Sequence, residues 1–186
     1  MSDLSSLTSR RVWKFGDSIS SNQIAGGGRG PSQAGADRNA LLKANCLKSV
    51  RPEFGEGVQP GDILVAGANF GNGSSSPGSI ESLQACGLQA LLADSVSRLM
   101  LRTCIARGLP AFTVPGIMTI VEDGDELQID YAAGVARNKR SGEEISLPKF
   151  PPTVEQIYAA GGIQKVIGER LAREGVLPPP PVDAQP

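Results

Sequence analysis

The sequence predicts a mixed α/β domain with sheet-dominated ends, on three observations. Short apolar runs, Ile63–Ala66, Leu88–Ala93 and Leu109–Val114, each lead into or out of a glycine, as buried strands do. Between them lie stretches with helix caps and a helical apolar period. From Thr119 onward the apolar period shortens to two, with turn residues between the runs.

In chain order, residues 1–11 are polar and read as a flexible arm ahead of a domain spanning residues 12–177. Val12–Ile24 holds a short strand and a turn. Residues 25–38 carry five glycines without periodicity and read as a flexible loop. Asn39–Val50 is expected to be helical, with Leu41, Leu42 and Cys46 on related faces. Asp62–Ser76, D-I-L-V-A-G-A-N-F-G-N-G-S-S-S, reads as a buried strand feeding a tight glycine loop, and Pro77 suits the first turn of a following helix. That helix closes at Gly87. After the strand Leu88–Ala93, Ser95 reads as an N-cap. Val96, Leu99, Met100, Thr103 and Cys104 then form one helical stripe, ended by Gly108. Leu109–Val114 returns as a strand.

Asp123-Gly124 is a hairpin signal, Leu127, Ile129 and Tyr131 alternate, and Ser141-Gly142 marks another turn. Thr153-Val154-Glu155-Gln156 has the capping-box form and opens a helix that stops at Gly161-Gly162. Ile163–Glu174 is an amphipathic helix ended by Gly175. The tail 178–186, P-P-P-P-V-D-A-Q-P, is expected to be disordered or polyproline-like.

Composition narrows the function. A chain of 186 residues suits one domain, and 40% hydrophobic with 20% charged residues places it among soluble globular proteins. A net charge of −1 gives no electrostatic case for nucleic acid or an anionic membrane surface. No apolar run approaches a membrane span, and residues 1–11 lack an apolar signal core, so a cytoplasmic location is expected. Histidine is absent, which removes the commonest general base and metal ligand together. Cys46, Cys86 and Cys104 form no C-x-x-C pair, so each is expected to pack as a small apolar residue and the chain to carry no cofactor of its own.

Strand, glycine loop, hydroxyls and helix start aim several hydroxyls and free backbone N–H groups at one spot. The text of this loop resembles the swivel domain of the aconitase superfamily, most closely the small subunit of isopropylmalate isomerase, where it reads G-x-N-F-G-x-G-S-S-R-E-H. Other pieces agree in order. Phe15-Gly16-Asp17-Ser18-Ile19 through Gln23-Ile24 is similar to G-D-x-I-D-T-D-Q-I, and Pro60-Gly61-Asp62 to the P-G-D lead-in. Ala90 to Ser95 with Arg98 and Cys104 is similar to A-V-I-A-x-S-F-A-R-I-F-x-x-N-x. Gly108-Leu109-Pro110, Phe150-Pro151-Pro152 and Ala159 to Ile163 match the closing segments, so the resemblance covers residues 12–167.

The resemblance implies an aconitase-like swivelling β/β/α domain and a hydro-lyase split between two bodies. A 4Fe–4S cluster in a large subunit acts as Lewis acid on the substrate hydroxyl, and the swivel body supplies a serine base, which maps onto Ser74. A serine hydroxyl needs fixed donors for its alkoxide, and the backbone N–H groups of Ser75 and Ser76 are the natural ones. The chain departs from the family where substrates are gripped: Ser76 replaces the carboxylate-clamping arginine, Pro77-Gly78 replaces E-H, and Ser20-Ser21-Asn22 replaces D-T-D. Serine cannot reproduce a guanidinium fork. Ser75, Ser76, Asn22 and Asn72 are the substrate-binding candidates, with Arg29 as replacement cation. Two explanations stay open: a dehydratase that holds its hydroxy carboxylic acid differently, or a non-catalytic ligand-binding or regulatory paralogue. Structural readings stand beside these. Ser74 and Ser75 satisfy N–H groups at a helix start, Arg29 is a surface side chain, Asn22 caps a turn, and Arg98 serves the site or a surface salt bridge. The expected partner is an aconitase-like large subunit in a heterodimer, which calls for an apolar patch beside the serine loop.

Overall fold

The computed structural model describes Leu4, Leu7 and residues 10–26, 37–74 and 77–176. Its strands are β1 (Arg10–Phe15), β2 (Ile63–Ala66), β3 (Ala90–Ala93), β4 (Ala111–Thr113), β5 (Glu126–Asp130), β6 (Val135–Asn138) and β7 (Glu144–Ser146). Its helices are α1 (Ser21–Ile24), α2 (Asp37–Asn45), α3 (Phe54–Gly57), α4 (Pro77–Ala85), α5 (Arg98–Arg107), α6 (Ile117–Ile120), α7 (Pro152–Ala160) and α8 (Ile163–Arg173). They build one mixed sheet in the order β4-β3-β2-β1-β5-β6-β7. The first four strands are parallel, and β5, β6 and β7 continue antiparallel from β1.

Strand alternation sorts the apolar residues into two cores. Trp13, Phe15, Leu64, Ala66, Leu91 and Ala93 face Ile80, Leu83, Met100 and Cys104 of α4 and α5. Val12, Ile63, Val65, Ala90 and Leu92 share the other core with Leu127 and Ile129 of β5, Ile117 of α6 and Tyr158 of α7. Every residue of β2 and β3 is buried, because both faces are covered. β5 instead alternates buried and exposed, as a strand with one wet face does.

β1 joins the two halves. Arg10 and Arg11 pair with β5, whereas Val12 to Phe15 pair with β2. At the crossover the Val12 N–H donates to the Asp125 carbonyl at 2.8 Å, and the Gly124 N–H to the Val12 carbonyl at 2.9 Å. The Asp125 carboxylate fixes this corner. It accepts from the Glu122 N–H at 2.8 Å, from Asn138 Nδ2 at 2.6 Å and from Arg140 Nε and Nη2 at 2.6 and 3.0 Å. Asp62 of the P-G-D segment plays a similar part under β1, accepting from Trp13 Nε1 at 2.8 Å and the Gln59 N–H at 2.9 Å.

Several elements differ from the sequence expectation. Leu4 and Leu7 are buried in the second core and β1 starts at Arg10, so these parts of the expected arm belong to the folded domain. α2 ends at Asn45 and turns follow to Val50. Asp123-Gly124 is a turn between α6 and β5, not a hairpin: Asp123 Oδ1 accepts the Lys14 N–H, and both carboxylate oxygens take Arg51. The hairpin turns lie at residues 131–134 and 139–143. Thr153 caps nothing, because Pro152 already opens α7, and Glu155 instead accepts the Tyr131 hydroxyl at 2.6 Å. Most of the glycine loop, with Arg29, and the tail 178–186 lie outside the described residues.

The Arg140 guanidinium holds the Asp125 carboxyl well below the usual carboxylate range, with the Glu122 N–H and Asn138 amide adding to it against the opposing effect of burial. The sign follows directly. A depressed carboxylate pKa contributes stability above the unfolded value, about 4, and that contribution is lost as pH falls toward the folded value. Urea unfolding should therefore show stability declining below about pH 4. Asp125→Ala should remove this acid sensitivity and cost about 2 kcal/mol or more, since buried donors such as Asn138 Nδ2 lose an acceptor. Arg140→Ala, whose side chain is more than half exposed, should cost clearly less than Asp125→Ala.

Candidate active site

The carboxyl ends of parallel strands are where open α/β sheets place ligands. Three segments meet there: residues 16–20 after β1, 67–74 after β2 and 94–97 after β3. The glycine loop after β2 is clamped between the other two. On the β1 side, the Ala68 N–H donates to Asp17 Oδ1 at 2.8 Å, and the Ser18 N–H to the Ala68 carbonyl at 2.7 Å. The Gly71 N–H donates to the Ile19 carbonyl at 2.7 Å, and the Ser21 N–H to the Asn72 carbonyl at 2.8 Å. On the β3 side, the Asn69 N–H donates to Ser95 Oγ at 2.7 Å, and the Phe70 N–H to the Ser95 carbonyl at 2.9 Å. Ser97 Oγ donates to the Gly71 carbonyl at 2.7 Å.

Two glycines are dictated by this crowding. A Cβ on Gly67 would lie 1.8 Å from Asp17 Oδ1, and one on Gly71 2.4 Å from Met100 Cγ, at a φ of +74°. Phe70 between them is fully buried and anchors the loop in the first core. Ser95 is spent on Asn69, so the N-cap of α5 passes to Ser97, which accepts from the Met100 N–H at 3.4 Å. The expected stripe of α5 narrows to Met100 and Cys104, while Leu99 is exposed.

Ser74 emerges from this clamp into solvent and holds no hydrogen bond among the described residues. Its position follows Gly73 and precedes α4, whose first residue is Pro77. Asn72 is half-buried, and its Nδ2 donates to the Ser18 and Asn69 carbonyls at 3.1 and 3.2 Å, so its amide braces the loop. Asn22 is exposed on α1, one residue beyond the Ser21–Asn72 hydrogen bond. Arg98, at the start of α5, is exposed without an ion pair among the described residues, so the surface salt-bridge reading does not hold there. Ser75, Ser76 and Arg29 lie outside the described residues.

α1 stands where the sequence predicts only a turn, although Ser20 and Gln23 form a capping box: Ser20 Oγ accepts the Gln23 N–H, and Gln23 Oε1 accepts the Ser20 N–H at 2.8 Å. Asp17, Ser95 and Ser97 brace the loop without having been among the expected site residues. The S/T-x-x-Q spacing at Ser20 was the available signal for the first. The expected apolar patch beside the loop reduces, among the described residues, to Leu99.

Among the described residues no group of histidine, cysteine, aspartate or glutamate could hold a metal ion. Cys46, Cys86 and Cys104 are all buried and free. Burial pushes the Cys104 thiol up to about 12, and the neighbouring Cys86 thiol, with burial, raises Cys46 well above its ordinary value. No helix among the described residues is long and apolar enough to cross a membrane.

Comparison with known proteins decides the family. The chain is 37% identical over 164 residues to the 3-isopropylmalate dehydratase small subunit of Aquifex aeolicus, covering 87% of this chain and 95% of that one. The chain belongs to the 3-isopropylmalate dehydratase small-subunit family. It is also 37% identical over 153 residues to the homoaconitase small subunit of Thermus thermophilus, covering 82% of this chain and 91% of that protein. The crystal structure of 3-isopropylmalate dehydratase from Methanocaldococcus jannaschii superposes with a TM-score of 0.81 at 26% identity, covering 90% of this chain and 97% of that one. No protein-family model matches the chain. The mixed seven-stranded sheet is thus the aconitase-like swivel fold expected from the loop text, and the clamp described above is how this family member holds its glycine-serine loop.

Gly71→Ala tests that clamp. It adds a Cβ against the Met100 side chain and forces alanine into the left-handed region, so urea unfolding should show a loss of about 2–4 kcal/mol. Gly124→Ala, at a φ of +84° with open space around it, should lose only the backbone part, about 1–2 kcal/mol.

Proposed function

We propose that this chain is the small subunit of a two-part hydro-lyase that dehydrates or isomerises a small hydroxy carboxylic acid, with Ser74 as its base. The observation that supports this reading most is the contrast at the end of the loop. Residues 67–72 are fixed by hydrogen bonds and packing on both sides, whereas Ser74 is exposed at the loop's end with its hydroxyl unspent among the described residues. A rigid support under one free nucleophilic or basic group is what positioned proton transfer requires.

In this reading Ser74 Oγ takes and returns the proton on the carbon next to the one that carries the hydroxyl. The N–H groups of Ser75 and Ser76, ahead of α4, stabilise its alkoxide. Asn22 on α1 and Asn72 offer amide oxygens toward the substrate, and Arg29 supplies the carboxylate clamp that Ser76 no longer provides. The chain's own donors do not fit an iron–sulfur cluster: histidine is absent and the three cysteines are buried. The 4Fe–4S cluster is therefore assigned to an aconitase-like large subunit, where it would supply the Lewis acid for the hydroxyl. The names of the relatives support a small hydroxy acid but differ between 3-isopropylmalate dehydratase and homoaconitase, so the class is proposed and not the compound. Free, buried thiols suit a reducing compartment and so support a cytoplasmic location, and the small-subunit names of the relatives support a heterodimer with a large subunit.

The second reading, a non-catalytic paralogue, draws on Ser76 and Pro77-Gly78 standing where the resemblance has R-E-H. One set of variants separates the two in the co-expressed complex. Ser74→Ala should abolish dehydration while substrate affinity stays nearly unchanged, because the base acts in the transition state. Arg29→Ala should instead weaken substrate binding by about 1.5–3 kcal/mol. Activity surviving both substitutions would remove the catalytic assignment of these residues, and failure to associate with any aconitase-like large subunit would favour the paralogue.

A further inference from the structure

A groove of about 460 Å³ lies between α2, α4 and α5, away from the serine loop. It opens where Gly87-Leu88 enters β3 and Gly108-Leu109 enters β4, at the amino ends of strands whose carboxyl ends carry the site. Its walls hold one acid and two guanidiniums. Glu81 Oε2 accepts from Arg38 Nη2 at 2.5 Å, and Glu81 Oε1 from Arg107 Nη2 at 3.2 Å. Gln84 Nε2 donates to the Arg107 carbonyl at 2.8 Å and fixes the end of α5, and Asn39 adds a second amide.

The charges do not cancel. Among the described residues two guanidiniums face one carboxylate, leaving an excess positive charge in a concave setting. Each guanidinium has five N–H donors, and each spends one on Glu81 with no other acceptor among the described residues. Glu81 is the most buried of the three, and both arginines keep about a third of their side-chain surface open. Fork-shaped donors in surplus, converging from α2 and α5, match the oxygens of a phosphate or carboxylate.

We propose that this groove binds a small oxyanion, with Arg38 and Arg107 as its donors and Glu81 as the carboxylate that competes with the anion for them. The site is independent of the hydro-lyase reading, since none of its residues belongs to the serine loop or its clamp. Calorimetric titration of the full chain with inorganic phosphate, and separately with malonate, against sodium chloride of matched ionic strength tests it. Saturable binding of either anion at one per chain is expected, and which anion binds distinguishes a phosphate from a carboxylate ligand. Arg107→Ala should weaken that binding at least about ten-fold, whereas Glu81→Gln, which removes the competing carboxylate, should strengthen it. That opposite response separates a binding site from a mere ion-pair link, for which both changes only loosen the fold. Should Arg107→Ala lose its far-ultraviolet circular dichroism, Arg38→Ala takes its place. No binding beyond the chloride control, equal binding by wild type and the arginine variant, or weakened binding in Glu81→Gln would overturn the proposal.

Discussion

The site depends on one strand pairing with different partners along its two halves. β1 gives Arg10 and Arg11 to the antiparallel strands and Val12 to Phe15 to the parallel ones. Its register is therefore fixed twice, and a slip by one residue would move Trp13 and Phe15 out of one core and Val12 out of the other. Because Phe15 pairs with Ala66, the chain leaves both strands side by side, and the Gly67 N–H meets the Gly16 carbonyl at 3.3 Å. Asp17 and Ala68 then fall within hydrogen-bond reach, and the clamp on the serine loop begins there.

That clamp stores conformational cost where the chemistry is proposed. Ser18 and Asn69 both adopt the left-handed region, with φ of +56° and +60°, within the segments that hold the loop. Non-glycine residues stay in such conformations only when their surroundings over-determine them. Here the surroundings are countable: the Ser18 N–H donates to the Ala68 carbonyl, and Asn69 donates its N–H to Ser95 Oγ and accepts Asn72 Nδ2 on its carbonyl. A loop held this way presents its last residue at a set place without an ordering cost on each encounter with substrate.

Electrostatics divide the molecule differently from packing. The clamp is made mainly of neutral hydrogen bonds, with Asp17 as its carboxylate, and Arg98 stands unpaired at its edge among the described residues. The concentrated ion pairing lies elsewhere, at Asp125 with Arg140, at Asp123 with Arg51, and around Glu81. The first two brace β1 from its antiparallel side. The last ties three helices and leaves charge over.

Much of this was legible in the sequence because it is local. Glycine punctuation placed β2, β3, α4 and the end of α5 to within a few residues, and the alternation at Leu127 and Ile129 gave β5. The order of the loop text and its flanking pieces was enough to point to the family, since order along the chain survives without knowledge of contacts. Long-range partners were not legible. Ser95 has the residue type and position of an N-cap, yet the loop takes its hydroxyl and Ser97 becomes the cap. Asp123-Gly124 has hairpin text, yet Lys14 and Arg51 claim the aspartate and the turn joins a helix to a strand. Asp17, Glu81 and Asp125 look alike as isolated acids, but one braces a loop, one balances two arginines and one pins a strand. A side chain's role is set by which donors reach it, and the ones that tell these three acids apart include donors 51, 26 and 13 residues away.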